Sequence, residues 1–381
     1  MRVAFYAPLK PPTHPHPSGD RRMARLLLRA LKQAGHDVVP ASRLRAYDRA
    51  GDAQVQAAIA AKGARISAAL VRKWRARNAP GRPRAWVTYH VYHKAPDHLG
   101  PVVSAALGIP YVVIEPSIAP RKRGGRWESG YAAAFKAIAG ADAALCLNAV
   151  DPEFVRPALK RGALFRLLAP FVDVLPFARA AKNRERHRRA LAKRLPADEP
   201  WLLAVGMMRP GDKLDSYRVL GRALARLKRR KWRLVVVGDG VVRAEVERAL
   251  APIGDRVLYL GERAAAAMPG IYAACDLYVW PAVREAYGMA ILEAQAAGLP
   301  VVAGRGVGVG DVVAERETGL LVGSADAPAL ARAIAGLLDD PARRATMRAA
   351  ALARTREGHD IATAARSLDG VLRLLARRDA A

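Results

Sequence analysis

Acidic residues are scarce in this chain of 381. Its 34 aspartates and glutamates stand against 63 lysines and arginines, a formal net charge of +29. That imbalance either attracts polyanions (nucleic acid, anionic lipid, acidic glycan) or is carried on solvated basic faces. The cations cluster at Arg72-Lys73-Trp74-Arg75, at Arg121-Lys122-Arg123, across residues 182–194 and at Lys228-Arg229-Arg230-Lys231-Trp232-Arg233. The clusters are dispersed and no nucleic-acid-binding motif accompanies them, so no specific nucleic-acid partner is expected. Cysteine is nearly absent. Cys146 and Cys275 lie far apart in apolar runs, which excludes a disulfide framework and suits buried thiols in a reducing cytosol. No apolar run approaches the length of a membrane-spanning helix. The N-terminus gives a short VAFYA run and then Pro8, with no signal-peptide h-region. A cytoplasmic protein is expected, with a peripheral place at the inner face of the cytoplasmic membrane as an open alternative. Internal repeats and low-complexity linkers are also missing.

What is present is a globular composition, 52% hydrophobic and 25% charged, long enough for two domains with separate cores. Apolar strand-like runs alternate with helical patterns. RVAFYA, residues 35–39, AWVTYH, PYVVIEP and AALCLN form one series. WLLAVG, RLVVVGDG, RVLYLG, DLYVWPA and LPVVAG form another. Strands separated by helices predict parallel sheets of βαβ units, and two series predict two Rossmann-like domains.

The most informative segment is 281–322, PAVREAYGMAILEAQAAGLPVVAGRGVGVGDVVAERETGLLV. Glu285 closes a loop, Gly288 opens a helix, Gly298 ends it, and Pro300 begins a buried strand. Gly288 lets a ligand approach the first N–H groups of that helix, which attract anions such as phosphate. Glu285 sits just before the helix and Glu293 about two turns in. Carboxylates repel phosphate but accept from sugar hydroxyls. Hydroxyl acceptors beside an anion cradle predict a ligand that has both a diphosphate and sugars.

Those residues resemble the Glu-x7-Glu signature of family-4 glycosyltransferases, retaining GT-B enzymes that use nucleotide sugars. The matching positions are Glu285-Ala286-Tyr287-Gly288, Glu293-Ala294-Gln295-Ala296-Ala297-Gly298-Leu299-Pro300-Val301-Val302, the loop 304–310, and Thr318-Gly319-Leu320-Leu321-Val322. The resemblance covers most of the chain, strongly in its second half. It implies an α/β GT-B fold: two Rossmann-like domains facing across a cleft, with a C-terminal helix crossing back to the first. The expected domains are an acceptor domain over 1–178, joined by a helix over about 360–378, and a donor domain over 195–358. The LLAPFVDVLPF segment resembles the family's domain junction.

The resemblance also implies roles. Glu285 would bind sugar hydroxyls and Glu293 the ribose, with Gly288, Tyr287 and Met289 at the donor. Lys213, in GMMRPGDKLDSY, would neutralise the diphosphate. Met207 takes the place of the family's usual arginine, and Arg209 lies two residues on as its substitute. Gly238 opens a turn after a parallel strand, where ligands bind or where a turn is simply tight. Arg263 lies in the segment that resembles the nucleobase loop. Gly19 is the single glycine of the loop that approaches donor phosphate and acceptor. His90 and His93 follow the AWVTYH strand, near the anomeric carbon. Glu115 stands where many relatives carry histidine, either acting on a hydroxyl or paired with an arginine of 121–126. His14 and His16 lack a nearby metal-ligand partner and read as solvated loop residues. No Asp-x-Asp occurs, so the reading needs no cofactor and no metal.

The expected function is transfer of a hexose-type sugar from a nucleoside diphosphate sugar to a hydroxyl on a glycan, glycolipid or lipid-linked precursor. An anionic membrane surface is a further candidate partner. Two other readings stay open: a GT-B sugar-nucleotide epimerase, and an inactive GT-B-fold protein that binds polyanions.

Overall fold

The computed structural model describes residues 1–16, 18–76, 81–285 and 288–378. Six strands build the first sheet: β1 (Arg2–Tyr6), β2 (Asp37–Pro40), β3 (Ala85–Val91), β4 (Tyr111–Pro116), β5 (Ala143–Cys146) and β6 (Leu164–Leu167). Their order is β2-β1-β3-β4-β5-β6, and every pairing is parallel. Six more build the second: β7 (Trp201–Val205), β8 (Arg233–Val237), β9 (Val257–Gly261), β10 (Leu277–Trp280), β11 (Val301–Gly304) and β12 (Gly319–Val322). These run β12-β11-β10-β7-β8-β9, again all parallel. Parallel strands must be joined by crossovers, and helices supply them. The strands are near-continuous apolar runs because helices bury both faces of such sheets. Trp86 and Tyr111 anchor the first core; Trp201, Trp232 and Trp280 anchor the second.

Strand order reverses once in each sheet. After β2 the chain returns to the other side of β1 to lay down β3, and after β9 it returns to the other side of β7 to lay down β10. In open α/β sheets the carboxyl ends of strands at such a reversal are where ligands bind.

Several elements were not read from sequence, β6 and the helix Ala53–Arg75 among them. β6 is LFRL, half exposed, too short to print a strand pattern. The helix Ala53–Arg75 has an alanine-rich, mostly exposed surface. The cluster Arg72-Lys73-Trp74-Arg75 is its last turn, where cations face the negative end of the helix dipole.

The chain divides into two compact units, Met1–Ala169 with Ile361–Ala381, and Pro170–Asp360. Segment 170–178 thus belongs with the second unit. Its two ends lie side by side there: Val172 N–H donates to His359 O at 2.9 Å, and Val172 bridges Asp360. The final helix, Ile361–Arg378, returns to the first unit. It buries Ile361, Ala364, Ala365, Leu368, Val371, Leu372 and Leu375. Asp369 lies 3.3 Å from His36, and Arg378 donates to Gly162 O at 2.8 Å. Among the described residues no helix is long and apolar enough to cross a membrane.

If that helix is integral to the first unit, Leu372→Ala, at a position 2% exposed, lowers stability by about 2–5 kcal/mol. Urea denaturation of the full chain measures it; a loss below about 0.5 kcal/mol would show the helix to be a loosely held appendage.

Candidate active site

In the second unit the reversal lies between β7 and β10. The loop after β7 leads into the helix Asp212–Ala225, whose first turn carries Lys213. The loop after β10 carries Glu285. Lys213 Nζ is hydrogen-bonded to Glu285 Oε2 across 72 residues of sequence. Both side chains are mostly buried, 16% and 20% exposed. Trp280, the last residue of β10, sits beneath the pair. Its Nε1–H points to Glu285 Oε2 at 3.4 Å, and Lys213 Nζ lies 5.2 Å from its ring centroid. Tyr217 meets that ring edge-on at 5.1 Å and donates to Gly206 O at 2.8 Å. Gly206 has to be glycine here: a Cβ would lie 2.8 Å from Trp280.

The loop bearing Glu285 is held in an unusual shape. Ala282 and Arg284 both adopt left-handed backbone, at φ 52° and 49°. Arg284 reaches Asp212 at 2.5 Å and Asp215 at 3.5 Å, while Val283 N–H donates to Ser216 Oγ at 3.2 Å. The loop is therefore laced to the same helix turn that holds Lys213.

Gly288 caps the helix Met289–Ala296 at φ 70°. A Cβ on it would lie 3.4 Å from Glu285 Cγ, so the helix start and Glu285 are adjacent. Met289 is buried. Glu293 is 2% exposed and accepts from the Tyr272 hydroxyl at 3.0 Å. Gly238 packs against Gly206 so closely that a Cβ would lie 1.9 Å from Gly206 O. Its N–H donates to Gly261 O at 2.9 Å. Arg209 and Arg263 are exposed. Tyr287 lies outside the described residues.

In the first unit the reversal lies between β1 and β3. Gly19 starts the helix Gly19–Gln33, capped by the Ser18 hydroxyl, and the next residue is Asp20. His90 near the end of β3 and Glu115 near the end of β4 both take left-handed backbone, φ 63° and 55°. His90 Nδ1 lies 3.1 Å from Asp20 Oδ1 and 3.8 Å from Glu115 Oε1. Burial alone disfavours charge on His90, but Glu115 and Asp20 overcome it and raise its pKa to about 9. Burial pushes the Glu115 carboxyl up, and His90 partly offsets this. The sequence left Glu115 either acting on a hydroxyl or paired with an arginine of 121–126; in the structure a His90 nitrogen lies 3.8 Å from its carboxylate.

His93 is in the opposite state. Burial, then Lys94, Lys122 and Arg121, lower its pKa to about 4. Its ring packs edge-on against Trp127 at 5.3 Å, and Nε2 is buried without a hydrogen-bond partner among the described residues. The two candidate histidines thus have pKa values shifted in opposite directions. Among the described residues no group of three or more His, Cys, Asp or Glu is disposed to hold a metal ion.

Residues 199–340 match the family described as glycosyl transferases group 1. The second unit carries a domain of the glycosyl transferases group 1 family. The D-inositol 3-phosphate glycosyltransferase of Salinispora tropica is 34% identical over 196 residues, 48% of this chain and 40% of that protein. The GDP-mannose-dependent alpha-(1-6)-phosphatidylinositol monomannoside mannosyltransferase of Mycolicibacterium smegmatis is 32% identical over 193 residues, 47% of this chain and 48% of that protein. The matches therefore span less than half the length of these relatives. Sucrose-phosphate synthase from Thermosynechococcus elongatus superposes with a TM-score of 0.71 over 99% of this chain and 100% of that one, at 22% identity. That likeness shows the fold, which is GT-B.

Within the glycosyl transferase domain, the structure joins Lys213, Glu285 and the helix start at Gly288. It keeps Glu293 turned to Tyr272. In the first unit it joins His90 with Glu115 and leaves His93 in a separate aromatic packing. Sequence reasoning missed Asp20, Trp280 and Tyr272. Trp280 carried a usable signal, a tryptophan ending an apolar strand five residues before Glu285. Asp20 carried one too, directly after Gly19. Tyr272 carried none.

The raised pKa of His90 makes a pH prediction. The folded state holds the proton more tightly than the unfolded chain, whose histidine titrates near 6.5. The resulting stabilisation is complete below about pH 6.5 and lost as pH rises through about 9. His90→Asn keeps a residue that tolerates left-handed backbone and removes the titration. The stability gap between wild type and variant, from urea unfolding, is expected to shrink across that window. A gap that stays flat would place the imidazole outside the influence of Asp20 and Glu115.

Proposed function

We propose that the chain is a nucleotide-sugar-dependent glycosyltransferase that moves a sugar to a hydroxyl acceptor with retention of configuration. The observation that carries this is the contact between Lys213 and Glu285 beside the helix start at Gly288. An ammonium and free helix N–H groups suit a diphosphate. A carboxylate next to them suits the sugar it leaves. Lys213 has three donors, so it can serve phosphate while still touching Glu285. As the sugar–oxygen bond breaks, negative charge grows on the diphosphate. Lys213 and the helix start are fixed in advance to neutralise it, which is why this reading requires no metal. Glu293 is the candidate for the ribose, with Met289, Gly238, Arg209 and Arg263 around the donor. In the first unit His90, Glu115 and Gly19 are the candidates for the acceptor and donor-sugar side. The curated relatives include enzymes named for phosphatidylinositol mannoside and for lipopolysaccharide core. They support a glycan or lipid-linked acceptor here; the excess of basic residues suits an acceptor met at an anionic membrane surface.

The test is a panel of UDP- and GDP-sugars, with and without EDTA, on wild type, Glu285→Ala and Lys213→Ala. Wild type should hydrolyse one donor slowly without acceptor, and EDTA should change nothing. Glu285→Ala should abolish this while the melting temperature holds. Lys213→Ala should weaken nucleoside diphosphate binding by about 1.5–3 kcal/mol and leave nucleoside binding alone. Full turnover in Glu285→Ala would overturn the reading.

The membrane part has its own check. Cosedimentation with anionic liposomes should occur at low salt and fade as salt screens the charges. Binding that ignores lipid charge would count against it.

A further inference from the structure

The second unit contains a pocket of about 360 Å³ away from Lys213 and Glu285. It lies between the helices Val174–Lys182 and Pro341–Gly358, at the start of the helix Arg184–Ala192. Four of its nine lining residues are cations: Lys182, Arg184, Arg348 and Arg356. The other five are apolar, among them Val174 and Leu352. No carboxylate lines it.

Several arginines elsewhere in this unit are matched to acids. Arg188 pairs with Asp276 at 2.9 Å, Arg230 with Asp339 at 2.7 Å, Arg233 with Glu199 at 2.7 Å, and Arg243 with Glu247 at 2.8 Å. At the pocket only Arg184 is matched, to Asp276 at 2.5 Å. Among the described residues Lys182, Arg348 and Arg356 have no recorded carboxylate partner. Arg348 is only partly exposed, and its recorded hydrogen bond is a long one, 3.4 Å to Cys275 O. Burial first, then repulsion from Arg184 and Arg344, lowers its pKa to about 10, with the Asp276 carboxylate pulling the other way. Like charges gathered around one cavity repel each other, and withdrawing one from water adds to the cost. An anion in the cavity removes both penalties. The apolar lining gives that anion a body to bury.

We propose that this pocket binds an organic phosphate carrying an apolar portion, of the kind found in a phospholipid headgroup with its first acyl carbons. The phosphate meets the cations and the apolar portion packs against Val174 and Leu352. The site is separate from the proposed donor site, so either can fail alone.

Calorimetry on the full chain tests it. The probes are dihexanoyl phosphatidic acid below its micelle concentration and glycerol 3-phosphate, which has the same phosphate without acyl chains. The lipid should bind at one site and at least about tenfold more tightly than glycerol 3-phosphate. The double variant Lys182→Gln/Arg356→Gln changes two exposed helix positions and should stay folded. It should weaken lipid binding about tenfold or more. Lys213→Ala should leave lipid binding unchanged. The proposal is overturned if wild type binds neither probe, if both bind equally, if the double variant binds like wild type, or if Lys213→Ala removes the binding and so assigns it to the donor site.

Discussion

The proposed sugar-transfer site depends on one topological constraint. A parallel sheet whose strand order reverses brings two carboxyl-end loops together that are far apart in the chain. Neighbouring strands are about 4.8 Å apart, so side chains from the two loops are within reach of each other. In the second unit those loops follow β7 and β10, and Lys213 meets Glu285. In the first they follow β1 and β3, and Asp20 meets His90 across 70 residues. The two units place a cation against a carboxylate in the same topological position, with the signs exchanged: the cation follows the first strand in one and ends the third in the other.

Backbone strain collects at the same points. Six described non-glycine residues have left-handed backbone, and four of them, His90, Glu115, Ala282 and Arg284, lie at or beside the ends of β3, β4 and β10. Each such conformation costs on the order of 1–3 kcal/mol and persists only where surrounding contacts impose it. Arg284 shows the contacts that impose it, two aspartates on the helix that holds Lys213. Close backbone approach does the rest. Gly304 lies so near Pro281 that a Cβ would be 1.9 Å from its carbonyl oxygen. The loop bearing Glu285 is thus fixed from one side by side chains of the helix Asp212–Ala225 and from the other by close backbone approach at Gly304.

What was legible in the sequence follows from which contacts are local. The run from Glu285 to Val302 encodes loop, cap, helix and strand within a short span, so its structure can be read directly. Lys213 was singled out through the resemblance, by its place after Gly206. The alternation of apolar runs outlined the two sheets, except β6, whose four residues carry no pattern, and β12, which entered only as part of a motif. The partners were not legible. Asp20 and His90 are brought together by the sheet, and nothing near either residue announces the other. Glu115 is similar: its neighbour His90 comes from the adjoining strand, not from the basic run 121–126 that is close in sequence.

The charge excess needs an account that the fold does not supply. Exposed ion pairs such as Arg243 with Glu247 add little to stability, because water and salt screen them. Other arginines are used as carbonyl donors: Arg256 caps Lys228 O and Arg230 O, and Arg75 holds Ala106 O. Even so, 34 acids cannot match 63 bases. The remaining positive charge raises the free energy of the compact state through self-repulsion. Dispersed over a solvated surface, that cost is small because water and salt screen it. Gathered around a partly desolvated cavity it is larger, and the cavity between Val174–Lys182 and Pro341–Gly358 is where Lys182, Arg348 and Arg356 meet without an acid. Surface charge is cheap to scatter, so cations concentrated beside an apolar lining point to a negative ligand that relieves them.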